Sequence, residues 1–213
     1  MGRNRAGVWL AAALGLLLAA GGAGAAFVDQ SQPLLDGGVP PFVVGGSAGQ
    51  ELAQTLTAGM TGRLAAVRLP VGCASGAFTL QVREVDGAAP GQTVVASLSL
   101  PAENLPPSPS VVGFRTFAVP GTPFFAAGER FALVLSASGT CEVAAGPLGN
   151  PYPRGEGLYR DRSLGPSAWL PLGPRSDLPF ETLVEAGDPF PPFSDDRVTG
   201  FVAVRCFLSA LVP

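Results

Sequence analysis

The chain contains no histidine and no lysine. Without histidine there is no imidazole general base, no His-based nucleophilic triad and no His-ligated zinc. Without lysine the glycine-rich stretch Gly45-Gly46-Ser47-Ala48-Gly49 cannot be a phosphate loop, and no helical pattern follows it. No G-x-S-x-G elbow is present, and neither Asn104 nor Asn150 begins an N-x-S/T sequon. Cysteine is limited to Cys73, Cys141 and Cys206, with no C-x-x-C spacing, so no metal or cofactor motif is expected. Charge is sparse at 14% of residues, and the 13 basic ones, all arginine, are scattered against 16 acidic ones. A negative chain without a basic stripe argues against nucleic acid and anionic membrane surfaces as partners.

What is present begins with a leader pattern. Arg3 and Arg5 supply a positive start, Val8–Ala20 is an apolar run, and Ala23-Gly24-Ala25 is a small-residue cleavage site. The pattern predicts a signal peptide over 1–25 and a mature protein that is secreted or at the cell surface, with the periplasm as an alternative. Loss of Arg3 and Arg5 takes the formal charge from −3 to about −5. No membrane insertion is expected after cleavage, because the last apolar run, Val198–Val212, is too short for a span and is interrupted by Arg205.

The remaining composition, with 22 Pro, 29 Gly and 47% apolar residues, fits many short elements joined by turns around a real core. Period-two alternation is clearest at Phe78, Leu80 and Val82, set against Thr79, Gln81 and Arg83. Further rows are Val67/Leu69/Val71, Val94/Ala96/Leu98/Leu100, Phe117/Val119, Phe131/Leu133/Leu135 and Phe180/Thr182/Val184. Ala132 and Val134 are apolar too, so that strand is expected to be buried on both faces. Turn residues separate the rows at Asp86–Gly91, Pro120–Pro123 and Ala127-Gly128. The spacing predicts an all-β fold, an antiparallel β-sandwich or jelly roll.

The expected organisation after the signal peptide has three parts. Residues 26–49 form an extended opening segment with a short strand near Phe42–Val44, residues 50–186 form the sandwich, and residues 187–213 form a Pro-rich linker plus a C-terminal strand. Phe78, Leu80, Val82, Leu98, Phe117, Phe131, Leu133, Leu135 and Phe180 are the expected core, each worth about 1.5–3 kcal/mol when fully buried. Cys73 and Cys141 follow apparent strands in the best-patterned region and are expected to pair, leaving Cys206 over.

The run GAFTLQVREVDGAAPGQTVVASLSLPA, followed by FRTFAVPGTPFFAAGERFALVLSASG, NPYPRGEGLYRD and SDLPFETLVE, resembles the choice-of-anchor group of secreted bacterial β-sandwich modules. The resemblance spans roughly Gln50 to Glu185. It implies a sandwich fold and a non-catalytic role in an exported or surface protein, and it carries no catalytic residues over.

Candidate chemistry concentrates in Gly146–Pro174, which holds Tyr152, Tyr159 and Trp169. Exposed aromatic faces stack sugar rings, and Asn150, Arg154, Arg160 and Asp161 could supply polar contacts. The competing reading packs these rings under loops. Asp161, Asp177, Asp188, Asp195 and Asp196 lack the spacing of a calcium loop and read as solvated carboxylates. Paired-carboxylate hydrolysis has eight glutamates to draw on (51, 84, 103, 129, 142, 156, 181 and 185), and no pair stands out. The expected function is a non-catalytic extracellular module, structural or contacting a surface protein; the alternative is a carbohydrate-binding module using the loop aromatics on an extracellular glycan.

Overall fold

Alternating strands acquire one apolar face each, and those faces leave water only by meeting one another. The computed structural model of the chain describes residues 25–108, 113–164, 168–175 and 177–186, and shows how they meet. In chain order the strands are β1 (Ala26–Gln32), β2 (Phe42–Gly45), β3 (Glu51–Thr57), β4 (Gly62–Leu69), β5 (Val71–Cys73), β6 (Ala77–Asp86) and β7 (Ala89–Pro101). They continue with β8 (Arg115–Ala118), β9 (Phe124–Phe125), β10 (Arg130–Ala137), β11 (Thr140–Val143), β12 (Gly157–Arg160), β13 (Leu170–Pro171) and β14 (Phe180–Glu185). Two three-residue 3-10 turns, Ala102–Asn104 and Arg162–Leu164, are the helical structure among the described residues.

The fold is an all-β sandwich. One sheet has the order β1-β14-β4-β8 with β9 also on β4; the other has the order β13-β12-β3-β10-β6-β7. All pairings of these strands are antiparallel. Leu52, Leu56, Phe78, Leu80, Phe131, Leu133 and Leu135 from the six-stranded sheet share one buried cluster with Leu64, Val67, Phe117, Phe180 and Val184 from the five-stranded sheet. Phe78 and Phe117 join the sheets with ring centroids 5.7 Å apart.

A third sheet, β2-β11-β5, adds Val44, Val71, Cys73, Cys141 and Val143 to the same core. The chain reaches it from β4 through Pro70, whose missing N–H ends the first ladder. Gly45, where β2 turns away, has φ +78°, and a Cβ there would stand 2.1 Å from the Gly139 carbonyl oxygen, so only glycine fits. Cys73 lies directly opposite Cys141 in the β5–β11 pair, and the two form a disulfide across 68 residues of sequence.

Several expectations are met in detail. β10 is buried on both faces, with Ala132 and Val134 as inaccessible as Phe131, Leu133 and Leu135. All of the expected core residues are buried except Leu98, which is half-buried at the sheet margin. Other points differ. Val94 does not join the inward row; it is 44% exposed, because register shifts on β6 at Val82/Arg83 and Arg83/Val85 break the alternation of β7. The reversal at Asp86–Gly91 is tighter than expected, since Ala89 already pairs with Asp86. β3 was not foreseen: its inward positions read Leu-Gln-Leu, and the buried Gln54 interrupts the pattern. Residues 26–49 are built into the sheets, with β1 on β14 and β2 on β11. Residues 1–24 of the expected signal peptide 1–25, the linker, the C-terminal run and Cys206 lie outside the described residues.

Replacing Cys73 and Cys141 together with alanine should lower unfolding stability by about 2–4 kcal/mol, because the bridge restrains a long loop in the unfolded chain. Urea unfolding tests this, and the reduced wild type should unfold with the double variant; equal stability of oxidised and reduced protein would contradict it.

Candidate functional site

The loop-rich segment expected to present three aromatic rings does not present them together. Tyr152 is buried, set edge-on against Phe180 with centroids 5.0 Å apart. Its hydroxyl donates to Gln30 Oε1 (3.0 Å) and accepts from the Thr57 N–H (3.3 Å). Burial raises its phenol pKa above the ordinary value. Tyr159 is half-buried against the inter-sheet core, whereas Trp169 packs on Ala53, Val134 and Leu158. Neighbouring strand residues point to opposite faces, so Tyr159 lies inside the sandwich and Trp169 outside it. One side of the indole is occupied by the Arg160 guanidinium, 4.5 Å from the ring centroid. The polar residues named with them are engaged locally. Asp161 accepts from the Ser163 N–H (2.8 Å) and hydroxyl (2.6 Å), starting the 3-10 turn. Arg154 donates to Gln30 Oε1 (3.3 Å) and to the Ala58 carbonyl (3.2 Å).

Asp177 corrects the reading of solvated carboxylates. It is completely buried and accepts from Gln54 Nε2 (2.9 Å) and the Tyr152 N–H (3.0 Å). Asn150, with its amide oriented to match its neighbours, adds a third donor at 3.0 Å. Gln54 Oε1 in turn accepts from the Leu178 N–H at 2.8 Å. These bonds tie the segment after β11 to the middle of β3. Burial raises the Asp177 pKa, opposed by the Tyr152 and Gln54 bonds. Among the described residues, no buried side-chain nitrogen or oxygen lacks a partner.

The arrangement with chemical potential lies on the outer face of the six-stranded sheet. Glu51 opens β3 and is buried there; one carboxylate oxygen pairs with Arg160 and the other with Arg162. Arg83, on β6 and only 9% exposed, lies farther along the same sheet and is held by its own partners. Its chelating contacts are Gln81 Oε1 (2.9 and 2.6 Å) and the Gly91 carbonyl (3.4 Å). Burial lowers its pKa first, and Arg160 and Arg162 lower it further against the opposing pull of Glu51. Two guanidiniums therefore share the Glu51 carboxylate, with the Arg83 charge close enough to be felt by all three. Beside them runs an open groove of about 470 Å³, whose lining includes Glu51, Arg162, Thr79, Ser99, Ser136 and Ser138. Its floor is shallow because β6, β7 and β10 contribute only short side chains there. Thr79 donates to Ser99 across the β6–β7 pair at 3.2 Å, and Ser138 accepts from the Ala77 N–H at 3.0 Å.

The sequence points to Arg160 and offers Glu51 only as one of eight glutamates; it does not single out Arg162 or the hydroxyls. The signal for the hydroxyls was in plain view as the polar half of the β6 and β7 alternation. Nothing sets Glu51 apart from the other glutamates, because β3 itself is hidden. Glu181 pairs with Arg68, and Glu142 accepts from the Ser108 hydroxyl, so both have local partners. Among the described residues no three His, Cys, Asp or Glu side chains cluster as metal ligands. No protein-family model matches the chain, and no curated protein matches it.

Asp177→Asn should cost about 1–3 kcal/mol at neutral pH, since its amide nitrogen would meet a donor where a carboxylate oxygen now accepts. The native carboxyl holds its proton more tightly than the unfolded one, so its contribution is complete below pH 3.8 and is lost as pH rises through the raised native value. The stability difference between wild type and Asp177→Asn, from urea midpoints across that window, should therefore shrink with rising pH; a pH-independent difference would contradict the assignment.

Proposed function

We propose that this is a non-catalytic β-sandwich module of an exported protein, acting through contact with another polypeptide. The Cys73–Cys141 disulfide supports an oxidising compartment, as does the leader pattern at residues 1–25. The role as a contact module rests on β7. This 13-residue strand forms one margin of the six-stranded sheet, and among the described residues nothing pairs with its outer side. Strand margins in monomeric proteins are usually blunted by charge, proline or cover. β7 has no charged residue at all, no proline between Gly91 and Leu100, and exposed Val94 and Val95. Such a margin takes an added strand through main-chain hydrogen bonds.

The partner that fits this margin is a second copy. Antiparallel pairing of two β7 strands opposes uncharged Ser, Thr and Val side chains, so no like charges meet. Sedimentation equilibrium of the full chain should show a reversible dimer. Val95→Lys should weaken it by about tenfold or more, or about 1.4 kcal/mol, with the melting temperature of the monomer unchanged. A wild type that stays monomeric at every concentration reached would refute pairing at this strand.

A further inference from the structure

Beyond strand addition, we propose that the groove beside Glu51, Arg160 and Arg162 binds an acidic oligosaccharide, a short chain of sugars carrying carboxylates.

The floor supplies the hydroxyl recognition. Thr79, Ser99, Ser136 and Ser138 lie on or next to three adjacent strands, and each hydroxyl can both donate and accept. That dual capacity suits a polyhydroxylated ligand. The groove offers little to a peptide, since its apolar lining is limited to Ala77 and Ala137. The short side chains leave about 470 Å³ open along the sheet, enough for a ligand lying flat on the strands.

The rim supplies the charge. Both oxygens of Glu51 are already engaged by arginines, so the carboxylate organises the cluster and is not left to repel an anion. Arg162 spends one nitrogen on Glu51 and is 60% exposed where it borders the groove. Its fork can meet a carboxylate in two parallel bonds. With two arginines to one carboxylate, the rim is net positive within a chain of net charge −3, which focuses anions on this face. Trp169 lies behind Arg160 and holds that guanidinium in place by stacking.

The test is calorimetric titration of the full chain with tetragalacturonate, with cellotetraose as the neutral control and poly-glutamate as the acidic control without sugars. Tetragalacturonate should bind, with affinity falling as salt rises, and neither control should come within about tenfold of it. Arg162→Gln should weaken binding about tenfold or more; it also removes one partner of Glu51, so a melting temperature well above that of the titration shows that the variant is folded. Ser136→Leu should abolish binding by filling the floor. Absence of tetragalacturonate binding overturns the proposal. So does equal binding of cellotetraose, which would leave a neutral-sugar groove, or equal binding of poly-glutamate, which would leave a bare anion site. Wild-type affinity in Arg162→Gln would also overturn it.

Discussion

One apolar layer, enclosed between two sheets, is the condition under which everything else in this protein stands. Its rows come from alternate positions of β3, β10 and β6 on one side and β4, β8 and β14 on the other. Burial of that layer is what offsets the entropy of ordering a chain so rich in glycine and turns. With the inner faces committed, the outer face of the six-stranded sheet is released from packing at its β7 side. Short hydroxyl side chains can occupy it there without cost to the core. Where β10 runs through the middle, Ala53, Val134, Leu158 and Trp169 add a second, smaller cover.

Polar groups inside the layer follow a different rule, that each must find a partner or weaken the whole. Gln30, Gln54, Thr182, Asp177 and Tyr152 answer to one another, linking β1, β14 and the middle of β3 to the segment after β11. Their bonds span up to 152 positions of sequence, and they fix the path of the loop-rich segment, which has little apolar burial of its own. The same segment then delivers Arg160, Arg162 and Trp169 to the outer face. A buried network at the core thus positions a charged rim at the surface.

The fold was legible wherever apolar residues kept strict alternation, as in β6 and β10, and the Cys73–Cys141 pairing followed from the strand ends beside it. It failed where function of the side chain inside the core was polar. Gln54 concealed β3, and with it Glu51; Asp177 looked solvated because nothing local announces a partner at position 54. The aromatic residues were found but not their faces. Tyr159 lies on β12 and Trp169 just before β13, and the pairing of those two strands decides that the rings fall on opposite sides of the sheet. Long-range pairing, not composition, settles such questions.

The pairing of β1 with β14 sets Ala26 beside Glu185, so the first and last of the described strands are neighbours. A chain made from its N-terminus must therefore carry β1 unsatisfied until nearly the whole domain has been synthesised. During that interval Phe27 and Val28, exposed even in the finished fold, have no sheet to join. Of the described strands, the two that form this outer pair of the five-stranded sheet are thus the farthest apart in sequence, and the pair can form only once the chain has been made as far as Glu185.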